Sequence, residues 1–600
     1  MYEKDLIHFH TLMESVREYR NVNIEVLAKG LYSLGNMHYI QTGDRLPDYL
    51  MRNRIMGRLG VSSEGYEDYV QFDEYERWEN REKLLLLIED SKWEEARDLY
   101  NSISKSWKRV NKVEKQFLLD VEARILAYEG ASDETVYRLY EKTVYQTMSK
   151  NVSFTIDDRI VLSPVEIYYV INWLLYMPAN EKTPDKIAEL FENLIKYIEN
   201  SFLEDIAKAK ILPFAVWAYF NTLKKYGLEA DYHKAWRHSN KAIELLKKTE
   251  RFYYLKEIVK ARSELASHLE FHIDELLLEK DVVDILDNLA SRYDITIPMA
   301  QSGYIYRDSI VNCIATVIHD RRRMLGITRE KLAEGICSKR TIERIEAKKS
   351  KPQQFVMKSL FEKMGLLAEY RRAQIVTDDI NVINIFNDYR VAINQRDFAT
   401  AYAKMDCLLE WLDRRYIPNK QAIIRMLNIR QKMEIGLDKE SYIKNLQTAL
   451  SFSIKSNIIN RDYYYLTAGE IVLLYNIATQ LDGDNWQKKV LDFCSEFTGP
   501  MRISHFPSYE LIKDWEASML GNSGKYIESN KISEVIIKTT FRLNRFHGLY
   551  MASYNVCWNN YEAEKTEATK IEFNKDVLGC AKICDFCNNK KLSFYMSELK

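Results

Sequence analysis

The feature that most constrains this fold is an internal repeat, because the second half of the chain repeats the first at an offset of 305 residues. The segment 27–33, LAKGLYS, aligns with the segment 332–338, LAEGICS. Identical residues on the same ungapped alignment are Thr11 and Thr316, Arg17 and Arg322, Glu25 and Glu330, Ile40 and Ile345, Pro47 and Pro352, and Gly60 and Gly365. Self-similarity on this scale indicates one architecture present twice. The chain is therefore expected to form two halves with one plan.

Composition favours a helical globular protein. The 600 residues include only 20 Gly and 10 Pro, and so few turn-forming residues favour long helices with short connections. We expect an all-α fold. No window reaches the ~18 apolar residues of a membrane span, and the start, Met1–Asp5, lacks the blocks of a signal peptide. The eight Cys are scattered, so we expect a cytoplasmic protein with reduced thiols and no membrane partner.

The second copy has the residue pattern of a helix-turn-helix module within residues 312–367. The triplet 326–328, Gly-Ile-Thr, ends a first helix, and its threonine is a suitable N-cap for a short second helix. Gly335 makes the next turn, and Ser338 is expected to cap a third helix, Lys339–Ala347. The apolar residues predicted to face the core are Ile314, Val317, Ile318, Ile342 and Ile345.

The third helix of this module has the charges expected of a recognition helix. A helix-turn-helix places the N-terminal part of this helix in the major groove. Arg and Lys side chains there can reach guanine O6 and N7, and lysines that follow can contact phosphates. The residues assigned to double-stranded DNA are Arg329, Ser338, Lys339, Arg340, Thr341, Glu343, Arg344, Lys348, Lys349 and Lys351. A solvated basic face on a helical bundle is the alternative.

The string GITREKLAEGICSKRTIERIEAKKSKP resembles the helix-turn-helix of the Xre/Cro-like regulators, which implies sequence-specific DNA binding. On this resemblance, Arg329 takes the position of a phosphate-contacting glutamine. The recognition-helix positions are taken by Lys339, Arg340 and Arg344. Two residues depart from the family pattern. Glu343 replaces a small serine, and would repel phosphate or accept from a cytosine amine. Lys348 replaces a glycine, so the turn there must differ or be strained.

The first copy keeps the apolar frame and loses the charge. Lys and Arg outnumber Asp and Glu by eleven to five over residues 315–352, but the tally is four to four over the matching window 10–47. The segment 33–40, which matches the recognition helix, contains no Lys or Arg. Two interpretations remain. The first copy reads bases weakly through Asn36 and His38, or it is a protein–protein surface, such as a pseudo-dimer mate for the second copy.

Each module is followed by a long series of amphipathic helices. Trp93 and Ala96 resemble the start of a tetratricopeptide repeat, and Phe398 and Ala401 match them at the same offset. Lys115-Gln116 also match Lys420-Gln421, Glu166 matches Glu470 at an offset of 304, and Arg251-Phe252 match Arg545-Phe546 more loosely. Stacked helix pairs form a superhelix, or α-solenoid, that binds extended peptides or helices. The predicted units are a degenerate helix-turn-helix module (1–63), a tetratricopeptide-like array (64–300), an Xre-type module (305–368) and a second array (369–600).

This combination resembles the peptide-responsive quorum-sensing regulators of the Rgg, PlcR and PrgX superfamily. The resemblance implies that an array binds a short peptide or protein ligand and repositions the DNA-binding modules. A fused double copy departs from the usual single copy, so either one chain does the work of a homodimer or the sensing role has changed. Two other classes remain as alternatives. The first is an interaction scaffold or anti-regulator that no longer binds DNA, and the second is a catalytic regulator acting on response-regulator proteins.

Sequence motifs give no indication of catalysis. Cys580, Cys584 and Cys587 could ligate zinc with a fourth group, but their spacing also places them on one helix face with apolar neighbours, which favours core packing. The chain has no P-loop and no G-x-S-x-G motif. We therefore predict that the protein is not an enzyme and has no cofactor and no metal.

Overall fold

The structure is a computed structural model, and it is all-α apart from three short strands. It describes residues 8–62, 64–150, 153–155, 160–271, 276–298, 300–307, 310–367, 371–372, 374–454, 465–481 and 506–598. Within these ranges, no helix has the length and apolar character needed to cross a bilayer. The start of the chain, from which the absence of a signal peptide was inferred, lies outside the described residues.

The first half contains a module of four short helices, one strand and a series of longer helices. The module consists of α1 Phe9–Tyr19, α2 Ile24–Ala28, α3 Leu34–Gln41 and α4 Tyr49–Arg58. The first array consists of β1 Tyr66–Val70, α5 Phe72–Glu89, α6 Trp93–Ser106, α7 Lys112–Tyr128, α8 Asp133–Val144, α9 Pro164–Leu175, α10 Pro184–Asn200, α11 Asp205–Ala209, α12 Leu212–Tyr226, α13 Tyr232–Thr249, α14 Leu255–His268 and α15 Leu277–Arg292.

The second half follows the same order. Its module consists of β2 Ile310–Cys313, α16 Ile314–Met324, α17 Arg329–Ala333, α18 Lys339–Glu346 and α19 Gln354–Lys363. The second array consists of β3 Arg371–Arg372, α20 Ile380–Asn394, α21 Phe398–Trp411, α22 Ile417–Ile435, α23 Lys439–Ser451, α24 Ala468–Ala478, α25 Phe506–Asn522, α26 Tyr526–Arg542, α27 Leu549–Glu564, α28 Glu567–Phe586 and α29 Lys590–Glu598.

The two modules have the same helices at the same positions. Each of α1–α4 begins and ends 305 residues before its counterpart in α16–α19, and α6 and α21 have the same relation. The shared apolar frame explains this agreement, since Met37 and Ile40 are fully buried, as are their equivalents Ile342 and Ile345. The uncharged first copy therefore folds into the same four helices as the charged second copy.

A three-stranded sheet joins the two halves in the order β2-β1-β3. Strand β1 is parallel to β2 and antiparallel to β3, where Tyr66 pairs with Arg372 and Glu67 pairs with Arg371. Residues 371 and 372 follow 66 and 67 by 305 positions, so each residue pairs with the equivalent of its neighbour. This register is the one that a two-fold axis between the halves produces.

A second contact between the halves has the same symmetry. The amide of Phe252 donates to the carbonyl of Asn544 at 3.1 Å, and the amide of Phe546 donates to the carbonyl of Glu250 at 3.0 Å. These residues are equivalent at an offset of 294, where the sequence match looked loose. The two phenylalanine rings lie 5.1 Å apart. Equivalent segments therefore meet each other at two places in the molecule.

Each module also packs against the array of the other half. The core of the first module includes Ile380 and Ile383 of α20. The core of the second module includes Tyr69 of β1, with Phe72 and Tyr75 of α5 against it. The halves are consequently interlocked, and the position of each module depends on both arrays.

Candidate nucleic-acid interface

Helix α18 is held by its apolar face and by its cap. Ile342 and Ile345 are buried in the module core, as predicted. The side chain of Ser338 accepts the amide of Thr341 at 3.1 Å, and Thr328 caps α17 in the same way. Both predicted N-caps are therefore present, and the polar face of α18 points away from the core.

Four basic side chains on or just after α18 are exposed: Arg340, Arg344, Lys348 and Lys349. No carboxylate in the described part of the chain forms an ion pair with any of them. The other two predicted lysines are paired, since Lys339 Nζ lies 2.5 Å from Glu330 and Lys351 Nζ lies 2.7 Å from Asp73 of α5. Both pairs are exposed, so an incoming phosphate can compete for the lysines at little cost.

The second module exposes less positive charge than its count of Lys and Arg residues suggests, because several of its arginines are buried or paired. Arg321 is fully buried, and its Nη1 and Nη2 donate to Glu470 of α24 at 2.9 and 2.8 Å. Arg322 donates to Glu346 at 2.6 Å, and Arg329 donates to the same carboxylate at 2.7 Å. Buried charges need partners, so Arg321 and Arg322, in the last turn of α16, secure the module.

The remaining predicted site residues support the helix or modify its charge. Arg329 commits its Nε to Glu346, whose hydrogen bond raises the pKa of the guanidinium. The Glu343 carboxylate lies 3.9 Å from Lys339 Nζ and lowers the positive charge of that face. Lys348 has a φ of 57°, in the left-handed region that favours glycine. The strain predicted for this turn is therefore present.

The equivalent surface of the first module is apolar and neutral. Leu34 and Tyr39 of α3 are 51% and 56% exposed, and they stand where the second module has a lysine and an arginine. The Asn36 Oδ1 atom, which was considered for base reading, accepts from Arg45 Nη1 at 3.0 Å. Base contact through this oxygen would have to displace that hydrogen bond.

A buried carboxylate in each array anchors the module of the same half, a role that sequence reasoning missed. Glu166 of α9 accepts from Arg58 Nη2 at 2.6 Å, and Glu470 of α24 accepts from Arg321. Burial alone would raise the pKa of both carboxyl groups, but the arginine charges and hydrogen bonds hold each pKa below its usual value. The sequence match between Glu166 and Glu470 was the feature from which this shared anchoring role could have been inferred.

The turn between the second and third helices of each module is docked differently. Gly30, with a φ of +78°, lies so close to the array that an added Cβ would overlap the carbonyl oxygen of Thr147. Lys112 Nζ also donates to the Gly30 carbonyl at 2.7 Å. Gly335 has a φ of +76° but nothing within 4 Å of an added Cβ. This turn is therefore packed in the first module and open in the second.

The cysteine cluster lies in the core, as its helical spacing favoured. Cys580 and Cys584 of α28 are buried among apolar side chains, as is Cys587, which follows the last residue of this helix. Burial raises the pKa of the Cys584 thiol to about 12. Among the residues that the structure describes, no group of three or more His, Cys, Asp or Glu side chains is arranged to hold a metal ion.

The fold and the site together define an all-α protein with two equivalent four-helix modules, of which one presents an unpaired basic face. No protein-family model matches the chain, and no curated protein matches it. Among solved structures, PlcR of Bacillus thuringiensis, in complex with the peptide PapR7 and DNA, matches 47% of this chain and 98% of its own. Its identity is 16% and its TM-score is 0.30, a likeness that assigns neither fold nor function.

Proposed function

We propose that this protein is a sequence-specific DNA-binding transcription regulator, in which the second module reads DNA and the arrays sense a peptide or protein ligand. The observation that carries the proposal is the set of four exposed cations on, or just after, a capped helix that is anchored in the module core. Arg340 and Arg344 are one helical turn apart and share a face. They are suited to guanine edges, and Lys348 and Lys349 are suited to phosphates.

The first module serves in this proposal as a structural mate for the second. Its recognition-helix equivalent has no basic residue, and it packs against α20 as the second module packs against the equivalent helix α5. One chain would then provide the frame that two copies provide in a homodimer, with a single DNA-reading face. A ligand acts by binding one arrangement of the two arrays better than another, which shifts the position of the modules. No catalytic step is part of the proposal.

An interaction scaffold that does not bind DNA is the second candidate. The exposed apolar side chains of the first module favour it, because Leu34, Tyr39 and Leu46 are each more than half exposed. Isolated apolar side chains are common on protein surfaces, whereas several on one small module suggest contact with another protein.

Selection of bound sequences from random duplex DNA at about 0.15 M salt separates the two candidates. We expect the full chain to enrich one motif, and the variant Lys339→Ala/Arg340→Ala/Arg344→Ala to lose it. A matched control, Lys83→Ala/Lys531→Ala, removes two exposed lysines from the arrays and should keep the motif. No enrichment by the wild-type chain would favour the scaffold.

A further inference from the structure

The segment that joins the halves, Gln301–Arg307, is inserted into the first array. The Tyr306 hydroxyl donates to Asp120 of α7 at 2.7 Å, and its ring meets Phe117 edge-on at 5.1 Å. Tyr304 is also buried, at 3% exposure. The segment therefore occupies a groove of the array instead of crossing its surface as a loop.

Carboxylates hold the end of this segment. Arg307 is buried, and its Nε and Nη1 donate to Glu82 at 3.0 Å and to Glu89 at 2.6 Å. A Cβ on Gly303 would overlap the Glu89 carboxylate, which the contacts with Arg307 and Arg542 hold in place. With Asp120, which also pairs with Arg124 of the same helix at 2.7 Å, three buried acidic side chains of α5 and α7 line this groove. Glu82 and Glu89 are the two that favour a cationic occupant.

The second array has an open cavity at the equivalent place. The three acidic residues have as equivalents, at the offset of 305, Asn387, Asn394 and Arg425. All three equivalents line a cavity of about 820 Å³ between the halves, and Tyr304 and Arg307 of the inserted segment line it as well. This volume falls within the ~300–1,000 Å³ typical of small-ligand sites. The same groove is thus filled in the first half and open in the second.

At these three positions the change of residues replaces negative charge with positive charge. Two amides and a guanidinium replace three carboxylates. Arg425 makes a long hydrogen bond of 3.4 Å to Gln374, and no carboxylate of the described residues forms an ion pair with it. A guanidinium can bind a carboxylate with two hydrogen bonds, and asparagine amides can both donate to and accept from a peptide backbone. The rest of the lining carries both signs of charge, with carboxylates such as Glu64 and Asp388 and cations such as Lys248, so the preference for an anion is local to Arg425.

We propose that Gln301–Arg307 is a built-in occupant of the first array, and that the cavity of the second array binds a short extended peptide whose carboxylate pairs with Arg425. This inference deepens, and rests on, the ligand-sensing part of the proposed function. Arg251 and Arg545, at the bridge between the halves, also line the cavity. A ligand in this cavity would therefore lie beside the bridge that joins the two halves.

Calorimetric titration of the full chain with two synthetic peptides tests the proposal. The peptide QSGYIYR copies the inserted segment, and QSGYIYE replaces its arginine by glutamate, with both ends of each peptide blocked to remove their charges. We expect QSGYIYE to bind, and QSGYIYR to bind at least about tenfold more weakly. Arg425→Glu should reverse this order. Arg430→Glu, on the same helix but outside the cavity, should keep it.

The built-in occupant is tested with the same peptides. Tyr306→Ala/Arg307→Ala should vacate the first groove and create a binding site for QSGYIYR that the wild-type chain lacks. Any of three results would overturn the proposal. QSGYIYE does not bind at concentrations up to about 1 mM, or the two peptides have equal affinities for both the wild type and Arg425→Glu. The third is that the double variant shows no new binding site. The titration contains no DNA, so its failure is distinct from a failure of DNA selection.

Discussion

At the scale of single residues, Gly43 and Lys348 occupy the same turn in the first and second modules. The side chain that faces this turn determines whether a residue with a Cβ fits there. Gly43 has a φ of +81°, and an added Cβ would lie 2.7 Å from the His10 ring. The equivalent of His10 is Ala315, which leaves room for the Cβ of Lys348. The lysine therefore fits sterically but keeps a left-handed backbone at φ 57°.

Replacement of Lys348 by glycine should stabilise the protein. The left-handed conformation costs a non-glycine residue about 1–2 kcal/mol, and the greater freedom of glycine in the unfolded chain offsets about 0.4–1 kcal/mol. We expect Lys348→Gly to raise the free energy of unfolding, measured in urea, by up to about 1 kcal/mol. Lys349→Gly is the control. Equal effects of the two substitutions would contradict this explanation.

The glycines of the two turns provide a second matched comparison. Gly30→Ala and Gly335→Ala both place a Cβ on a left-handed residue, but only the first drives it into the carbonyl of Thr147. We expect Gly335→Ala to cost about 1–2 kcal/mol of unfolding free energy, and Gly30→Ala to cost clearly more. Thermal unfolding of the two variants measures the difference. A smaller loss for Gly30→Ala would show that the first module is not docked as described.

At the scale of elements, the same buried carboxylate is used with a different arginine in each half. Glu166 receives Arg58 from α4, whereas Glu470 receives Arg321 from α16. The modules therefore have equivalent helices but different anchoring contacts with their arrays. Removal of one partner of a buried ion pair leaves the other charge uncompensated, which makes these contacts sensitive to substitution and to acid.

Glu470→Gln should destabilise the protein by about 3–5 kcal/mol at neutral pH, because Arg321 stays buried without its counter-charge. The folded pKa of Glu470 lies below its ordinary value of 4.5. Its stabilising contribution is therefore complete above that pH and is lost as the pH falls from 4.5 towards the folded pKa.

Urea unfolding at several pH values measures both effects of Glu470→Gln. The variant should lose part of the acid dependence that sets in below about pH 5. The control is Glu434→Gln, which removes a partly exposed carboxylate paired with Arg430. It should change stability by less than about 1 kcal/mol. An acid profile of Glu470→Gln identical to that of the wild type would contradict the assigned role.

Local features of both modules could be predicted from the sequence. The N-caps Thr328 and Ser338 and the buried faces of the helices follow from nearby residues, so they were predicted correctly. The burial of Arg321 could not be predicted, because its partner Glu470 lies 149 residues away. The groove occupied by Gln301–Arg307 escaped prediction for the same reason, since its acidic side chains come from two helices distant in sequence.

At the scale of the whole molecule, a symmetric frame holds two modules with unequal surfaces. The β1–β3 register and the bridge between the arrays both follow two-fold symmetry. Of the two equivalent helices α3 and α18, however, α18 alone has an exposed basic face. In an ordinary dimer, identical faces read two half-sites. We expect this chain to make strong base contacts through one module only, and its selected DNA motif to be a single half-site.

The most direct test compares matched triple variants on the selected DNA site. Fluorescence anisotropy at several salt concentrations would measure the affinities of the wild-type chain and both variants. Lys339→Ala/Arg340→Ala/Arg344→Ala should lose more than about 100-fold in affinity, since each good base contact is worth about 1–3 kcal/mol. Leu34→Ala/Asn36→Ala/Tyr39→Ala, on the first module, should stay within about threefold of the wild type. Equal losses in both variants, or no loss in the first, would contradict a single DNA-reading module.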